Sequence, residues 1–170
     1  MIFSNRQNKP YNTEDGVLWA SRSVAVAGVI FVQMTNTNEI YVLLTKRSMS
    51  MPDEAGKWCL PCGYLDWDET VAEATNREIY EETGFNVESY DEILTTNAPM
   101  FKIDDNPTSN VLQNITFSSL KFYGNLTEFP SIWSESEESD ENRWIPVNTL
   151  DSYTLAFNHI DTIQKALKYI

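Results

Sequence analysis

Apolar and polar residues alternate in blocks along the chain, and most of the blocks predict strands. Two early blocks, residues 23–33 and 39–47, are apolar and β-branched enough to form buried strands. The polar run between them is typical of a turn, so the two strands are expected to form a hairpin. Further strands are predicted at residues 58–60, within 86–95, at 111–123 and at 143–147.

Two other segments have the spacing of amphipathic helices. The first is predicted from Thr70 to Thr83, because acids crowd its start and Gly84 is placed to end it in a left-handed conformation. Its core-facing stripe is expected to consist of Ala72, Thr75 and Ile79. The second helix is predicted at residues 157–170, where apolar side chains recur at helical spacing. His159, at its start, is expected to cap the helix or to pack rather than to bind a ligand.

The order of these elements is strands, one helix, more strands and a terminal helix, which predicts an α+β fold with a mixed sheet. With 170 residues, 42% of them apolar, the chain is long enough for one globular domain. We assign residues 19–170 to that domain and residues 1–18 to an irregular N-terminal arm. Residues 97–110 contain two prolines and are predicted to form a loop.

The first predicted helix bears three glutamates that lie one turn apart on one face, namely Glu78, Glu81 and Glu82. Like charges at this spacing repel one another and weaken a helix unless something positive lies beside them. A divalent hard cation such as Mg²⁺ or Mn²⁺ is the best candidate, because carboxylate oxygens are its preferred ligands. The alternative is a solvated acidic helix that binds nothing.

The spacing of residues 63–85 distinguishes between these two interpretations. The segment matches the pattern G-x5-E-x7-R-E-U-x-E-E-x-G-U, in which U is a bulky apolar residue. Every fixed position is filled, by Gly63, Glu69, Arg77, Glu78, Ile79, Glu81, Glu82, Gly84 and Phe85. In this pattern the chain strongly resembles the Nudix hydrolases, and the number of fixed positions makes the signal highly specific. The resemblance implies the Nudix fold, a mixed β-sheet sandwiched between α-helices (α/β/α).

The resemblance also implies an activity. Nudix hydrolases cleave the diphosphate linkage of a nucleoside diphosphate attached to another group, and they use divalent metal ions, so Mg²⁺ or Mn²⁺ is the expected cofactor. Arg77 matches the arginine that orients the acids, Glu69 matches the acid that supports the metal site or its water, and Gly63 lets the preceding loop approach the phosphates. The metal-binding carboxylates are those of Glu78, Glu81 and Glu82, the last two also being counted as catalytic.

Many members of the family need a further acid from a later loop, as a general base or an additional metal ligand. The acidic run at residues 135–141 is the natural donor in this chain. Glu138 is the first choice because of its distance before Trp144, and Glu137 and Glu141 are close rivals. The alternative for each of them is an exposed acidic turn.

The identity of the substrate is less constrained. Trp19, Arg22, Lys46 and Arg47 are candidates for contacts with a base, ribose or phosphate, and each also suits an ordinary surface or core position. Pro99 favours an ADP-ribose-like compound or a nucleotide sugar, because some members of that type have a proline near this place. The alternatives are a (d)NTP or dinucleotide as substrate, or a non-catalytic module that senses a nucleotide ligand on the same fold.

Charge narrows the class of partner. The net charge is −13, of which residues 63–85 contribute −6 and residues 135–141 contribute −5. No basic stripe is present that would hold a long nucleic acid, so a small nucleotide is the expected partner. No apolar run is long enough to cross a membrane, and no secretory signal is visible, so a cytoplasmic location is expected. The N-terminal arm is a candidate for pairing with a second copy in a homodimer.

The two cysteines, Cys59 and Cys62, have C-x-x-C spacing. A structural zinc site needs four ligands, and the single histidine, His159, cannot complete the set. A redox pair is conceivable, but a buried thiol at the end of a strand is commonplace. The expectation is that the cysteines have no chemical role.

Overall fold

The computed structural model describes residues 9–14, 16–20, 24–66, 68–103, 115–133 and 136–170. The first strands are β1 (Lys9–Thr13), β2 (Gly16–Ala20), β3 (Val24–Met34), β4 (Ile40–Arg47), β5 (Trp58–Cys59) and β6 (Cys62–Tyr64). They are followed by helix α1 (Val71–Thr83), β7 (Leu94–Ile103), β8 (Ile115–Leu126), β9 (Ser139–Pro146) and helix α2 (His159–Ala166). Short 3₁₀ helices cover Val87–Ile93, Val147–Ser152 and Leu167–Tyr169.

The main sheet is mixed, as the sequence predicts. Its strands are ordered β5-β4-β3-β8-β7, while β6 also pairs with β3 and β9 with β4. β3 and β8 run parallel, and the other pairs are antiparallel. The predicted hairpin is confirmed by the pairing of β3 with β4. β3 therefore lies at the centre of the sheet, beside the short β6 that leads into α1.

The sheet has a core on each face, because successive residues of a strand point to opposite sides. Ala27, Val29 and Phe31 of β3 pack in one cluster, which includes Ile163 and Ala166 of α2. The alternate residues Ile30 and Val32 of β3 point to the other face. They belong to a second cluster with Ile79 of α1 and Phe85 just beyond it. The predicted sandwich of a mixed sheet between helices is therefore confirmed.

The bounds of α1 follow from its two caps. Thr70 accepts a hydrogen bond from the backbone N–H of Glu73, and the Glu73 carboxylate accepts one from the backbone N–H of Thr70 at 2.8 Å, so the two form a capping box. Gly84 ends the helix with a φ of 68° in the left-handed region, as predicted, and donates its N–H to the Tyr80 carbonyl at 2.8 Å. The predicted core stripe is wrong at Ala72, which is exposed, because the buried face is rotated toward Ala74.

Three other predictions need correction. Residues 9–13 and 16–20 form the paired strands β1 and β2 rather than an irregular arm. Residues 97–103 belong to β7 rather than to a loop, because β7 pairs with β8 up to Ile103↔Ile115 and this partner supplies backbone hydrogen bonds that local turn signals do not reveal. The acidic run ends inside a strand, since β9 begins at Ser139.

No helix in the described ranges is long and apolar enough to span a membrane.

Candidate active site

The site is built where β6 passes beside α1. β6 pairs with β3 through Val26↔Gly63, which fixes the backbone of Gly63 against the helix. A Cβ atom at Gly63 would overlap the carboxylate of Glu78, so a larger residue here would push this acid out of its position. The structure thus gives Gly63 a place against Glu78, and its contact with a substrate stays a prediction.

Arg77 lies at the centre of the acids and is only 9% exposed. Its Nε and Nη2 donate to the two carboxylate oxygens of Glu69 at 3.0 and 2.7 Å, a bidentate pair. Nη1 donates to Oε1 of Glu78 at 2.6 Å and to Oε2 of Glu81 at 3.1 Å. Nη2 also donates to the carbonyl of Tyr64 at 2.9 Å, which ties the helix to β6. Arg77 therefore holds three of the predicted site acids in fixed positions.

The environment of Glu69 favours the charged form of this acid. Burial by itself would raise the pKa of Glu69, but hydrogen bonds from Arg77 and from the backbone N–H of Asp66 lower it below the ordinary value. The Asp66 N–H donates to Oε1 of Glu69 at 2.6 Å. Conversely, burial would lower the pKa of Arg77, while the bonds and charges of Glu69 and Glu78 raise it. The pair is therefore ionised at neutral pH.

Glu78 and Glu82 are in the opposite electrostatic situation. Burial raises the pKa of Glu78 to about 7, even though Arg77 contacts it. Glu82 is 6% exposed, and burial together with the charges of Cys59, Glu78 and Glu138 raises its pKa well above the ordinary value. Oε2 of Glu82 accepts a hydrogen bond from the Thr45 hydroxyl at 3.4 Å. These carboxylates are costly to ionise unless a positive charge is supplied beside them.

The donor set fits a divalent hard cation. Three acids, Glu69, Glu78 and Glu81, pair with the single Arg77, and Glu82 lies near enough to Glu78 for their charges to interact. Carboxylate oxygens are the ligand type that Mg²⁺ and Mn²⁺ prefer. The three α1 glutamates do not converge on one point. Among the described residues, the set of three such ligand atoms that lies within 4.8 Å is formed by Cys59, Cys62 and His159 instead. A cation held by these carboxylates would therefore take further ligands from water or from phosphate oxygens.

The acidic segment before β9 lies beside this face. Glu138 is exposed, its carbonyl accepts a hydrogen bond from Ser48 N–H at 2.8 Å, and its charge contributes to the raised pKa of both Glu78 and Glu82. Of its predicted rivals, Glu141 is paired with Arg143, and Glu137 is exposed. The structure therefore places Glu138 near the α1 acids, and its role as a base stays a prediction.

Two polar residues that sequence reasoning missed fasten this segment to α1. Nδ2 of Asn142 donates to the Glu82 carbonyl at 2.6 Å and to the Trp133 carbonyl at 2.7 Å. The Ser139 hydroxyl donates to the same Glu82 carbonyl at 3.4 Å. Both residues satisfy a backbone acceptor at the end of a helix, where carbonyls lack intrahelical partners. No local motif distinguishes them from other polar residues of an acidic loop.

The predicted substrate-binding residues are only partly described. Arg22 and the side chain of Trp19 lie outside the described part of the structure. Arg47 is 9% exposed, donates from Nη2 to Oδ1 of Asp53 at 2.7 Å, and lies 4.7 Å from the centre of the Phe157 ring. Asp53 and the Phe157 ring therefore already contact the Arg47 guanidinium. A substrate contact by Arg47 stays a prediction that the geometry does little to favour.

The raised pKa of Glu78 predicts how stability depends on pH. This carboxyl keeps its proton to about pH 7 in the fold, against an ordinary value of 4.5, so the folded state binds more protons between these limits. The stability that the protonated Glu78 carboxyl gives the fold is fully present below pH 4.5 and is lost as the pH rises through about 7. The raised pKa of Glu82 makes the free energy of unfolding fall with rising pH in the same way. Urea unfolding of metal-free protein should show the free energy of unfolding falling from about pH 5 to 8. Glu78→Gln should flatten this slope, and an equal slope in the variant would contradict the assignment.

Comparison with known proteins places the chain among proteins that share this motif and fold. A family model described as the NUDIX domain matches residues 22–166. A curated relative, Nudix hydrolase 3 of Caenorhabditis elegans, is 46% identical over 88 residues, which cover 52% of this chain and 37% of the relative. The chain thus spans well under half the length of that protein.

Solved structures resemble the fold over most of its length. A Nudix hydrolase from M. smegmatis, RenU, matches with a TM-score of 0.69 at 20% identity. The match covers 95% of this chain and 93% of RenU. A bifunctional NMN adenylyltransferase/ADP ribose pyrophosphatase from Francisella tularensis, complexed with AMP and a Mn ion, has a TM-score of 0.65 at 20% identity. That match covers 88% of this chain and 42% of the other. At these identities the structures show a common fold.

Proposed function

The chain belongs to the Nudix family, as its 63–85 pattern predicts, and from that premise we propose a divalent-metal-dependent pyrophosphohydrolase that splits the diphosphate linkage of a nucleoside diphosphate derivative. The observation that best supports the proposal is the set of acids around Arg77. Their arrangement keeps buried carboxylates beside one another, which is unfavourable in a merely structural helix.

Each residue has a definite task in this reaction. Glu78, Glu81 and Glu82 would hold Mg²⁺ or Mn²⁺, which would neutralise the diphosphate and lower the pKa of a bound water. Arg77 keeps Glu78 and Glu81 in position through its fixed hydrogen bonds. Glu138, which is exposed beside Glu78 and Glu82, would accept the proton of the attacking water. Positioning and charge stabilisation of this kind supply most of the rate in phosphoryl transfer.

For the substrate, we propose an ADP-ribose-like compound or a nucleotide sugar. Two features support this choice: the position of Pro99, and the fold that the chain shares with a bifunctional protein described as an ADP ribose pyrophosphatase. A (d)NTP or dinucleotide is the alternative within the same reaction class. Mg²⁺ is proposed as the cofactor and Mn²⁺ as its substitute, because both accept carboxylate and phosphate oxygens.

A substrate panel tests the proposal. Purified protein with Mg²⁺ or Mn²⁺ is expected to release phosphorylated products from ADP-ribose or a nucleotide sugar faster than from (d)NTPs or dinucleotides. Glu138→Gln should lower the rate, by about 10²- to 10⁴-fold if Glu138 is the base. Glu137→Gln makes the same charge change at the rival candidate, so the larger loss of rate identifies the base, and Glu128→Gln is the matched control at an exposed position outside the acidic run. No turnover across a broad panel would instead support a module that binds nucleotides without cleaving them.

A further inference from the structure

Cys59 and Cys62 lie on either side of the turn between β5 and β6, close to the acid site. Their sulfur atoms and one ring nitrogen of His159 lie within 4.8 Å of one another. Cys59 is buried, and Cys62 is partly exposed. From the sequence a redox pair is conceivable but not favoured, whereas the fold brings the two thiols together near Glu82. Such a trio is either a soft-metal site or a thiol pair that can be oxidised.

The hydrogen bonding of His159 favours the thiol pair. Its Nδ1 accepts a hydrogen bond from the Leu60 N–H at 3.0 Å, so the lone pair of this nitrogen is already engaged. Zinc sites in proteins use four ligands in structural sites and three in catalytic ones. With Nδ1 engaged, the trio is a poor zinc site, while the two cysteines remain adjacent. A bond between them requires the sulfurs to close from within 4.8 Å to about 2 Å, a movement that side-chain rotation would have to supply.

Both cysteines are one contact away from Glu82. The Thr45 hydroxyl lies 3.2 Å from Sγ of Cys59 and donates to Oε2 of Glu82 at 3.4 Å. The backbone N–H of Cys62 is hydrogen-bonded to the Glu82 carboxylate. If Sγ of Cys59 moved toward Cys62, the Thr45 hydroxyl would lose its neighbour, and the backbone at Cys62 would shift. Groups that contact a metal ligand in this way set its orientation and its affinity for the metal.

We propose that Cys59 and Cys62 form a reversible disulfide that weakens the binding of divalent cations at Glu82, so that an oxidising environment switches the site off. The second half of this statement rests on the proposed function, because it takes Glu82 as a metal ligand. The first half depends only on the placement of the two sulfurs.

The oxidant is a low-molecular-weight disulfide, RSSR. The partly exposed Cys62 attacks one sulfur of RSSR, which forms a mixed disulfide and releases one RSH. Cys59 then attacks the Cys62 sulfur, the intramolecular S–S bond forms, and the second RSH leaves. The two cysteine protons end on the two released thiols, so the protein loses two protons and two electrons, and RSSR gains them. A reducing thiol reverses both steps.

Oxidised glutathione is the probe for the first half of the proposal. The whole chain contains two cysteines, so intact mass and thiol titration report the pair without ambiguity. We expect both thiols to disappear together, with no glutathione adduct and with full recovery in reduced glutathione. Cys59→Ala should stop at a glutathione adduct on Cys62. Two thiols that survive oxidised glutathione, or a wild-type protein that stops at the adduct, would overturn the pairing. A bound zinc ion that blocks oxidation would overturn it as well.

Binding of Mn²⁺ is the probe for the second half, measured from the resonance signal of free Mn²⁺. Oxidation should weaken Mn²⁺ binding by about tenfold or more, and reduction should restore it. Cys62→Ala, which cannot form the bond, should bind Mn²⁺ equally well in oxidised and reduced glutathione. An affinity that stays constant while the wild-type disulfide forms would overturn the switch. If the reduced protein binds no Mn²⁺ at all, the proposed function fails, while the thiol count still decides the pairing.

Discussion

Glu82→Gln is expected to reduce diphosphate hydrolysis at least about a hundredfold while leaving the metal-free fold as stable as before or more so. The loss of rate follows because the variant removes a carboxylate proposed to hold the metal, and even groups that only support metal ligands are worth about 10- to 100-fold. Stability should not fall, because Glu82 is 6% exposed and its raised pKa shows that the fold disfavours its charge. Glutamine keeps the shape and removes that cost.

Two measurements check this expectation together. Steady-state rates with saturating Mg²⁺ give the change in activity, and urea unfolding of metal-free protein gives the change in the free energy of unfolding. Glu88→Gln is the matched control, since Glu88 is exposed just beyond α1 and the charge change is the same. A Glu82→Gln enzyme with wild-type rates, or one that is inactive only because it unfolds, would remove Glu82 from the site.

Arg77→Lys should lower the free energy of unfolding by about 3 kcal/mol or more, because it breaks a buried network of charges. Lysine preserves the positive charge but cannot reproduce the fork that binds both oxygens of Glu69 and also reaches Glu78, Glu81 and the Tyr64 carbonyl. Activity should fall with stability, since the acids lose their fixed positions.

Arg143→Lys provides the control for this experiment. Arg143 is paired with Glu141, but its side chain is 52% exposed, so its replacement should change the free energy of unfolding far less than the replacement of Arg77 does. Chemical unfolding of both variants under the same conditions measures the contrast. Equal effects at the two positions would mean that the Arg77 network is no more important to the fold than a surface ion pair.

The helix and its acids are predictable because their information is local. The apolar spacing, the acids at the start and Gly84 lie within one short stretch, and helix caps act over a few residues. The contact between Glu78 and Gly63 is also encoded there, although its reason becomes visible only when β6 is placed beside the helix. The error at Ala72 shows the limit, because pairing partners and not spacing alone decide which side of a helix is buried.

The rest of the site depends on contacts between distant parts of the chain. Asn142 reaches the end of α1 only because β9 pairs with β4. No short sequence pattern predicts its hydrogen bond to the Glu82 carbonyl. His159 reaches the Leu60 N–H although it lies 99 residues further along the chain, because the segment just before it pairs with Trp58. The extent of β7 was missed because its partner β8, rather than its own residues, supplies its hydrogen bonds. Sequence reasoning found the acids and the Arg77 that orients them, and missed Asn142 and Ser139, whose bonds to the end of α1 depend on distant parts of the chain.

The parallel pairing of β3 with β8 has a consequence for how the molecule is assembled. Val24 lies opposite Ile115, and the whole of α1 lies in the chain between them. The two ends of this long segment must come together before β3 and β8 can pair at the centre of the sheet. Closing such a long segment costs entropy before any pairing repays it, which makes folding slow. Newly synthesised chains should therefore spend time with β3 unpaired on that side, and this exposed edge would be the part of the molecule most dependent on chaperones.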